Sequence, residues 1–233
     1  MTTTSRNVQD SRSIAQVAAG LPGDYLIPYA ACYVYSPKGE SETSQRSRQL
    51  WARVKSGSIP WLKSYATSVH QEVSHGRAFN ECFESSPLLI PIPEYRARAQ
   101  PTLWPAKRLA HALQQAGLAP EVWTGLRRVS SVEMSSSSWM WERPTVQQHF
   151  ESLAVSRSPK QQAAKNLLLV DDVITKGRAL AAAAMRLQEV FPTADIRAFA
   201  LVRTVEFVLN VPRLFEPCQG VIHWNGEDAY RAP

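Results

Sequence analysis

The residues best suited to chemistry in this 233-residue chain lie together, in Leu167-Leu-Leu-Val-Asp-Asp-Val-Ile-Thr-Lys-Gly-Arg-Ala-Leu180. Leu167 to Val170 is an apolar run too short for a buried helix, and it reads as a strand covered on both faces. Asp171 and Asp172 are expected to stop that strand, because two adjacent carboxylates cannot continue unpaired into a core. Gly177 permits a tight turn or close approach to a ligand. Ala179 to Val190, Ala-rich with Leu180, Met185 and Leu187, is a good helix former. The order is strand, acidic pair, Thr/Lys/Gly loop, helix. A loop feeding a helix N-terminus points amides outward and makes a natural phosphate site. The competing reading is structural, since an apolar run followed by Asp-Asp ends many α/β strands.

Positioning these residues takes a sheet and its covering helices. Tyr25 to Tyr35 carries aromatic and β-branched residues and ends at the turn signal Ser-Pro-Lys-Gly, which predicts one or two short strands. Ser44 to Lys55 reads as a helix with Leu50, Trp51 and Val54 on one face and Gly57 as its stop. A second helix is expected from Pro60, where the missing N–H costs little, to Ser74. Leu88 to Pro93 is a buried strand. Thr102 to Gly117 is an amphipathic helix with Leu103, Ala106, Leu109, Ala110 and Leu113 on one face. Glu121 to Gly125 is a short strand, and Arg127 to Arg143, with four consecutive serines, a long loop. Pro144 to Leu153 is a short helix, Asp195 to Thr204 a further sheet strand, and Gly220 to Trp224 a late edge strand.

Alternation of strands and helices points to the α/β class, with a central, mostly parallel sheet flanked by helices. A small N-terminal lobe or hood is expected over residues 21–86, after a disordered N-terminus over 1–20. The core with a C-terminal edge segment takes 87–233. Ligands of such sheets bind beyond the carboxyl ends of the strands. That rule gathers Asp171, Asp172, Glu94 to Arg98 and the loop from Arg127 into one cleft.

Composition narrows the function classes. Hydrophobic residues at 44% and charged residues at 20% fit a globular chain. No apolar run approaches the ~20 residues needed to cross a bilayer, so a membrane protein is not expected. Met1 to Asp10 is polar without an apolar core, which argues against a signal peptide. Cys32, Cys82 and Cys218 are far apart with no CxxC, so buried thiols in a reducing cytoplasm are expected, not disulfides or zinc. A net charge of +6 and a pI near 9.4 suit a polyanion. The cations are dispersed, so a small phosphorylated substrate ranks above nucleic acid. His111, His149 and His223 read as isolated structural residues, Trp139 and Trp141 as packing, and no Ser/His/Asp set is readable.

With four hydrophobics, two acids, Thr175 and Gly177 in register, the opening stretch resembles the diphosphoribosyl-binding motif of the type I phosphoribosyltransferases. The order along the chain is also similar to the ComF-like branch of that family. A Pro-x-Pro strand end with following arginines (Pro91 to Arg98) leads to an amphipathic helix, Arg127-Arg128, a variable loop ending Glu142-Arg143, the motif, and Leu201-Val-Arg-Thr204. The resemblance spans Leu88 to Thr204, with weaker similarity over Tyr29 to Gly57.

The resemblance implies binding of phosphoribosyl pyrophosphate with Mg, and transfer of the phosphoribosyl group to or from a nucleobase or other small nitrogen acceptor. Homodimers are common in the family. By the same resemblance Asp171 and Asp172 would accept the ribose hydroxyls and hold the metal directly or through water. Thr175, Lys176, Gly177, Arg178 and Ala179 would form the 5′-phosphate loop. Glu94, Tyr95, Arg96, Arg98, Arg127, Arg128 and Arg143 are the candidates for the pyrophosphate, whose growing charge fixed cations stabilise. Arg127, Arg128 and Arg143 flank the serine loop and would close over the donor, excluding water.

Two departures from the family pattern matter. The four-cysteine zinc module of many ComF-like proteins is not in this sequence. The usual Thr-Gly-x-Thr ending is replaced by Lys176, Gly177, Arg178 and Ala179. Loss of a hydroxyl bond to a charged phosphate costs about 1.5–3 kcal/mol, roughly ten- to hundredfold in affinity, part of which Lys176 could recover. The alternative function is therefore a nucleotide- or donor-sensing protein without turnover, linked through that branch to DNA uptake. A nucleic-acid-handling protein ranks third, because no DNA-binding motif is recognisable.

Overall fold

Largely apolar runs form the central strands, and helices between them form the covering layers. The computed structural model describes residues 25–94, 103–131, 144–156, 161, 163–206, 208 and 210–233. In chain order the strands are β1 (Tyr25–Tyr35), β2 (Leu88–Pro91), β3 (Glu121–Val122), β4 (Leu126–Arg128), β5 (Leu153–Val155), β6 (Asn166–Ile174), β7 (Asp195–Thr204), β8 (Phe215–Trp224) and β9 (Ala229–Ala232). The helices are α1 (Glu42–Lys55), α2 (Ile59–Ser74), α3 (Asn80–Phe83), α4 (Pro105–Gln115), α5 (Val146–Glu151) and α6 (Arg178–Gln188).

Seven strands make one sheet in the order β3-β2-β6-β7-β1-β8-β9. The five from β3 to β1 are parallel to their neighbours, and β8 and β9 add antiparallel to the β1 side. The α/β class with a mostly parallel sheet is thus present. Leu167 and Leu169 of β6 face a cluster with Phe150 of α5 and Leu180 and Met185 of α6. Leu168 and Val170 face the opposite cluster with Leu50 and Val54 of α1, Leu62 and Val69 of α2, and Leu109 and Leu113 of α4. A strand covered on both faces loses the polar alternation of a half-exposed one, which is why the run from Leu167 is continuously apolar.

Several local expectations need correcting. Asp171 and Asp172 do not stop β6, which runs on to Ile174. Pairing with β7 continues past them through Asp171 with Ala200 and Val173 with Val202, while β2 ends opposite Val170. The acids thus sit where the strand has lost one neighbour, and their carboxylates accept the next amides along the chain. β8 is not an edge strand, because β9 pairs along it. The long loop expected from Arg127 starts as strand β4, paired with β5. α4 begins at Pro105, not Thr102, because a proline suits the first helical position. Cys218 is only partly buried, unlike Cys32 and Cys82.

β1 is a single 11-residue strand lying between β7 and β8, so the region expected as a front lobe supplies an interior strand of the sheet. Its helices α1 and α2 cover the same face as α4. The expected N-terminal tail, residues 1–20, lies outside the described residues. No helix among the described residues is long and apolar enough to cross a membrane.

Candidate functional site

The sheet order creates a crevice. From β2 the chain passes through α4 on one face to β3 on one side; from β6 it passes through α6 on the opposite face to β7 on the other side. Adjacent parallel strands whose connections diverge leave a gap beyond their carboxyl ends, the usual ligand position in such sheets. Asp171 and Asp172 end the β6 side of this gap, and Glu94 follows β2 after Pro93. The Ile92 amide still donates to the Val170 carbonyl at 2.9 Å, and Trp104 Nε1 donates to the Ile92 carbonyl at 2.7 Å. These bonds fasten the end of β2 beside the acidic pair.

The acids are held by backbone and by one cation. Asp171 accepts the Asp172 amide at 2.8 Å, and Asp172 accepts the Val173 amide at 3.0 Å. Lys55, the last residue of α1, donates to Asp172, its Nζ 3.0 Å from Oδ1 and 2.8 Å from Oδ2. Burial and then the neighbouring Asp172 charge push the Asp171 pKa well above the usual carboxylate range, with Lys55 pulling the other way. The folded state therefore keeps the Asp171 proton to a higher pH than the unfolded chain. Stability falls as pH rises from the unfolded carboxylate range through that raised value. Asp171→Asn keeps an acceptor for the Asp172 amide and removes the unfavourable charge. It is expected to stabilise the protein at neutral pH by about 1 kcal/mol, a rise in melting temperature of about 2–4 °C. A melting temperature that falls would contradict this.

The loop after the acids leads into α6. Gly177 is the N-cap with φ of 91°, and its carbonyl accepts the Ala181 amide at 2.9 Å. The amides of Arg178, Ala179 and Leu180 come before the first bond of the helix and carry its positive end. Arg178 makes a two-pronged pair with Asp228 in the β8–β9 turn, at 2.5 and 2.6 Å, and Lys176 stands 3.8 Å from the same carboxylate. Burial opposes the Asp228 charge, but Arg178, the Ala229 amide and Lys176 outweigh it and hold its pKa below the usual range. Both cations of the expected phosphate loop thus face a carboxylate far along the chain, 50 residues from Arg178.

Arg128 is a bracket between elements. Its Nε donates to the Glu94 carbonyl at 2.6 Å, one terminal nitrogen to Ser152 Oγ, and the other to His149 Nδ1 at 3.1 Å. A guanidinium can only donate, so His149 is neutral with its proton on Nε2. Burial first, then Arg128 and Arg178, pull the His149 pKa down to about 3. The unfolded chain then binds a proton near pH 6.5 that the folded chain refuses until about pH 3. This stability is complete above pH 6.5 and is lost as pH falls through that window, by up to about 1.4 kcal/mol per pH unit. His149→Asn is expected to lose correspondingly less stability between pH 6.5 and 5 in urea titrations. Equal losses in both proteins would contradict the assignment.

Of the remaining candidates, Arg127 is exposed on β4. Tyr95, Arg96, Arg98 and Arg143 lie outside the described residues, as do Trp139 and Trp141. The structure therefore gathers Asp171, Asp172, Glu94 and Arg128 around the crevice, with the loop from Thr175 to Ala179 following the acids. It adds Lys55 and Asp228, which no local pattern announced. Lys55 showed only as the basic end of a helix, and Asp228 as part of the turn Asn225-Gly-Glu-Asp.

Among the described residues no group of three or more His, Cys, Asp or Glu side chains is arranged to hold a metal ion. Asp171 and Asp172 do not fit a directly held Mg, because the Lys55 ammonium already faces both oxygens of Asp172. No protein-family model matches the chain, and no curated protein does. Among solved structures, a purine phosphoribosyltransferase from Pyrococcus horikoshii Ot3 is similar over 65% of this chain and 92% of its own, at 16% identity and a TM-score of 0.32.

Proposed function

We propose that this protein binds phosphoribosyl pyrophosphate in the crevice between β2 and β6 and transfers the phosphoribosyl group to a nucleobase or another small nitrogen acceptor. One observation carries the reading. An acidic pair followed by a loop into a helix N-terminus lies at the carboxyl end of β6, at the point where the strand connections diverge. The Asp171 and Asp172 carboxylates accept the two ribose hydroxyls and fix the sugar. The Thr175 hydroxyl and the first amides of α6 take the 5′-phosphate. Mg, in this reading, arrives bound to the pyrophosphate of the donor.

Transfer breaks the bond between ribose C1 and the pyrophosphate oxygen, whose electron pair leaves with pyrophosphate. The acceptor nitrogen forms the new bond to C1 and gives up a proton. Arg128 keeps the Glu94 carbonyl, and with it the end of the β2 loop, in place beside the sugar. Arg127, exposed on β4, is a candidate cation for the leaving group in this reading.

Two observations favour a sensing protein as the second reading. Ala179 stands where the family has a hydroxyl, and Arg178 is committed to Asp228. Pyrophosphate release across a panel of nucleobases separates the two. Release above an Asp172→Asn blank supports transfer, whereas donor binding with no release supports sensing.

A further inference from the structure

Lys55 comes from the opposite layer of the fold to α6, and its position is fixed by packing. The body of α1 buries Leu50 and Val54, Trp51 stacks on Tyr35 with ring centres 5.4 Å apart, and Arg53 lies 4.2 Å over Trp61 of α2. The helix thus brings the Lys55 ammonium to Asp172, a residue 117 positions away and only 6% exposed. An ammonium within 3.0 Å of both carboxylate oxygens occupies the side from which a divalent ion would be held.

We propose that Lys55 is the resident counter-cation of the acidic pair, and that the site binds a sugar phosphate without a divalent ion held by the protein. Asp172 presents its carboxylate charge to the crevice beside Asp171, and the Lys55 ammonium offsets it. An opposite charge at this range changes proton affinity by about one to three powers of ten, and a metal ion meets the same cation. A ribose diol is neutral, so its hydroxyls bond to the carboxylates without driving Lys55 away. The ligand half of this inference rests on the proposed function; the metal half does not.

The test uses Mn as probe and the full chain without nucleotide. In electron paramagnetic resonance titrations, Lys55→Met is expected to tighten Mn binding by about tenfold or more over the wild type. Lys55→Arg, which restores the charge, should bind Mn as the wild type does, and Lys55→Met with Asp172→Asn should lose the gain. Equal Mn affinity in Lys55→Met and wild type, with both folded by circular dichroism, overturns the role of Lys55. The second measurement needs no variant. Ribose 5-phosphate should bind the wild type in EDTA within about twofold of its affinity in Mg. Binding seen only with Mg overturns the inference. Binding in neither condition overturns its ligand half along with the proposed function, while the Mn comparison still judges Lys55 separately.

Discussion

Asp172→Asn is expected to weaken phosphoribosyl pyrophosphate by about ten- to hundredfold while leaving the protein folded. A hydrogen bond to a charged group contributes about 1.5–3 kcal/mol, and each 1.4 kcal/mol is a factor of ten in affinity. The amide side chain keeps an oxygen for the Val173 amide, so the backbone at the end of β6 retains its bond. Lys55 loses its ionic partner but is 38% exposed, so water can take over its solvation. The cost therefore falls on the ligand and not on the fold. Calorimetry with the donor, beside a thermal melt of each protein, separates these two effects. A variant that binds within about threefold of the wild type would remove Asp172 from the ribose site.

Gly177→Ala is expected to cost about 2–6 kcal/mol of stability, from two independent causes. The backbone at 177 has a φ of 91°, where a side chain strains the chain by about 1–3 kcal/mol. A Cβ there would also come within 2.8 Å of Ile222 Cγ2 and 3.0 Å of Cγ1. Ile222 is fully buried and branched at Cβ, so it has little room to give. α6 would have to shift, and it buries Leu180 to Leu187 without a break. Gly117 provides the control, since its φ of 83° is similar but nothing lies within 4 Å of its Cβ position. Gly117→Ala should lose only the backbone part. Urea unfolding of the two variants checks the difference; equal losses would mean that Ile222 yields.

Local pattern was enough where a residue's neighbours in sequence decide its state. The apolar runs at Leu88 and Leu167 and the amphipathic spacing from Ala106 to Leu113 led to β2, β6 and α4, because burial on two faces or one stripe leaves a periodic trace. The continuation of β6 through Asp171 and Asp172 left no such trace. It depends on pairing with Ala200 and Val202 of β7 and on the carboxylates' own bonds to the next amides. β4 and β5 were equally hidden, being three residues each and stabilised by one another across the chain.

The site divides along the same line. Asp171, Asp172 and Gly177 lie within seven residues and are legible as a motif. The cations meant for the phosphate were legible as residue types, but Arg178 and Arg128 found partners at Asp228, Glu94, Ser152 and His149 that only the folded chain brings near. Lys55 is the clearest case, a helix-terminal lysine whose importance comes wholly from a carboxylate on a strand that forms much later in the chain.

The central claim is that the crevice between β2 and β6 holds a phosphoribosyl donor, and calorimetry of phosphoribosyl pyrophosphate against the wild-type protein tests it most directly. The expected result is saturable heat with one site per chain, reversed by excess ribose 5-phosphate and strongly reduced in Asp172→Asn. Folded protein that gives no heat with donor up to about millimolar concentration, with Mg present, would contradict it.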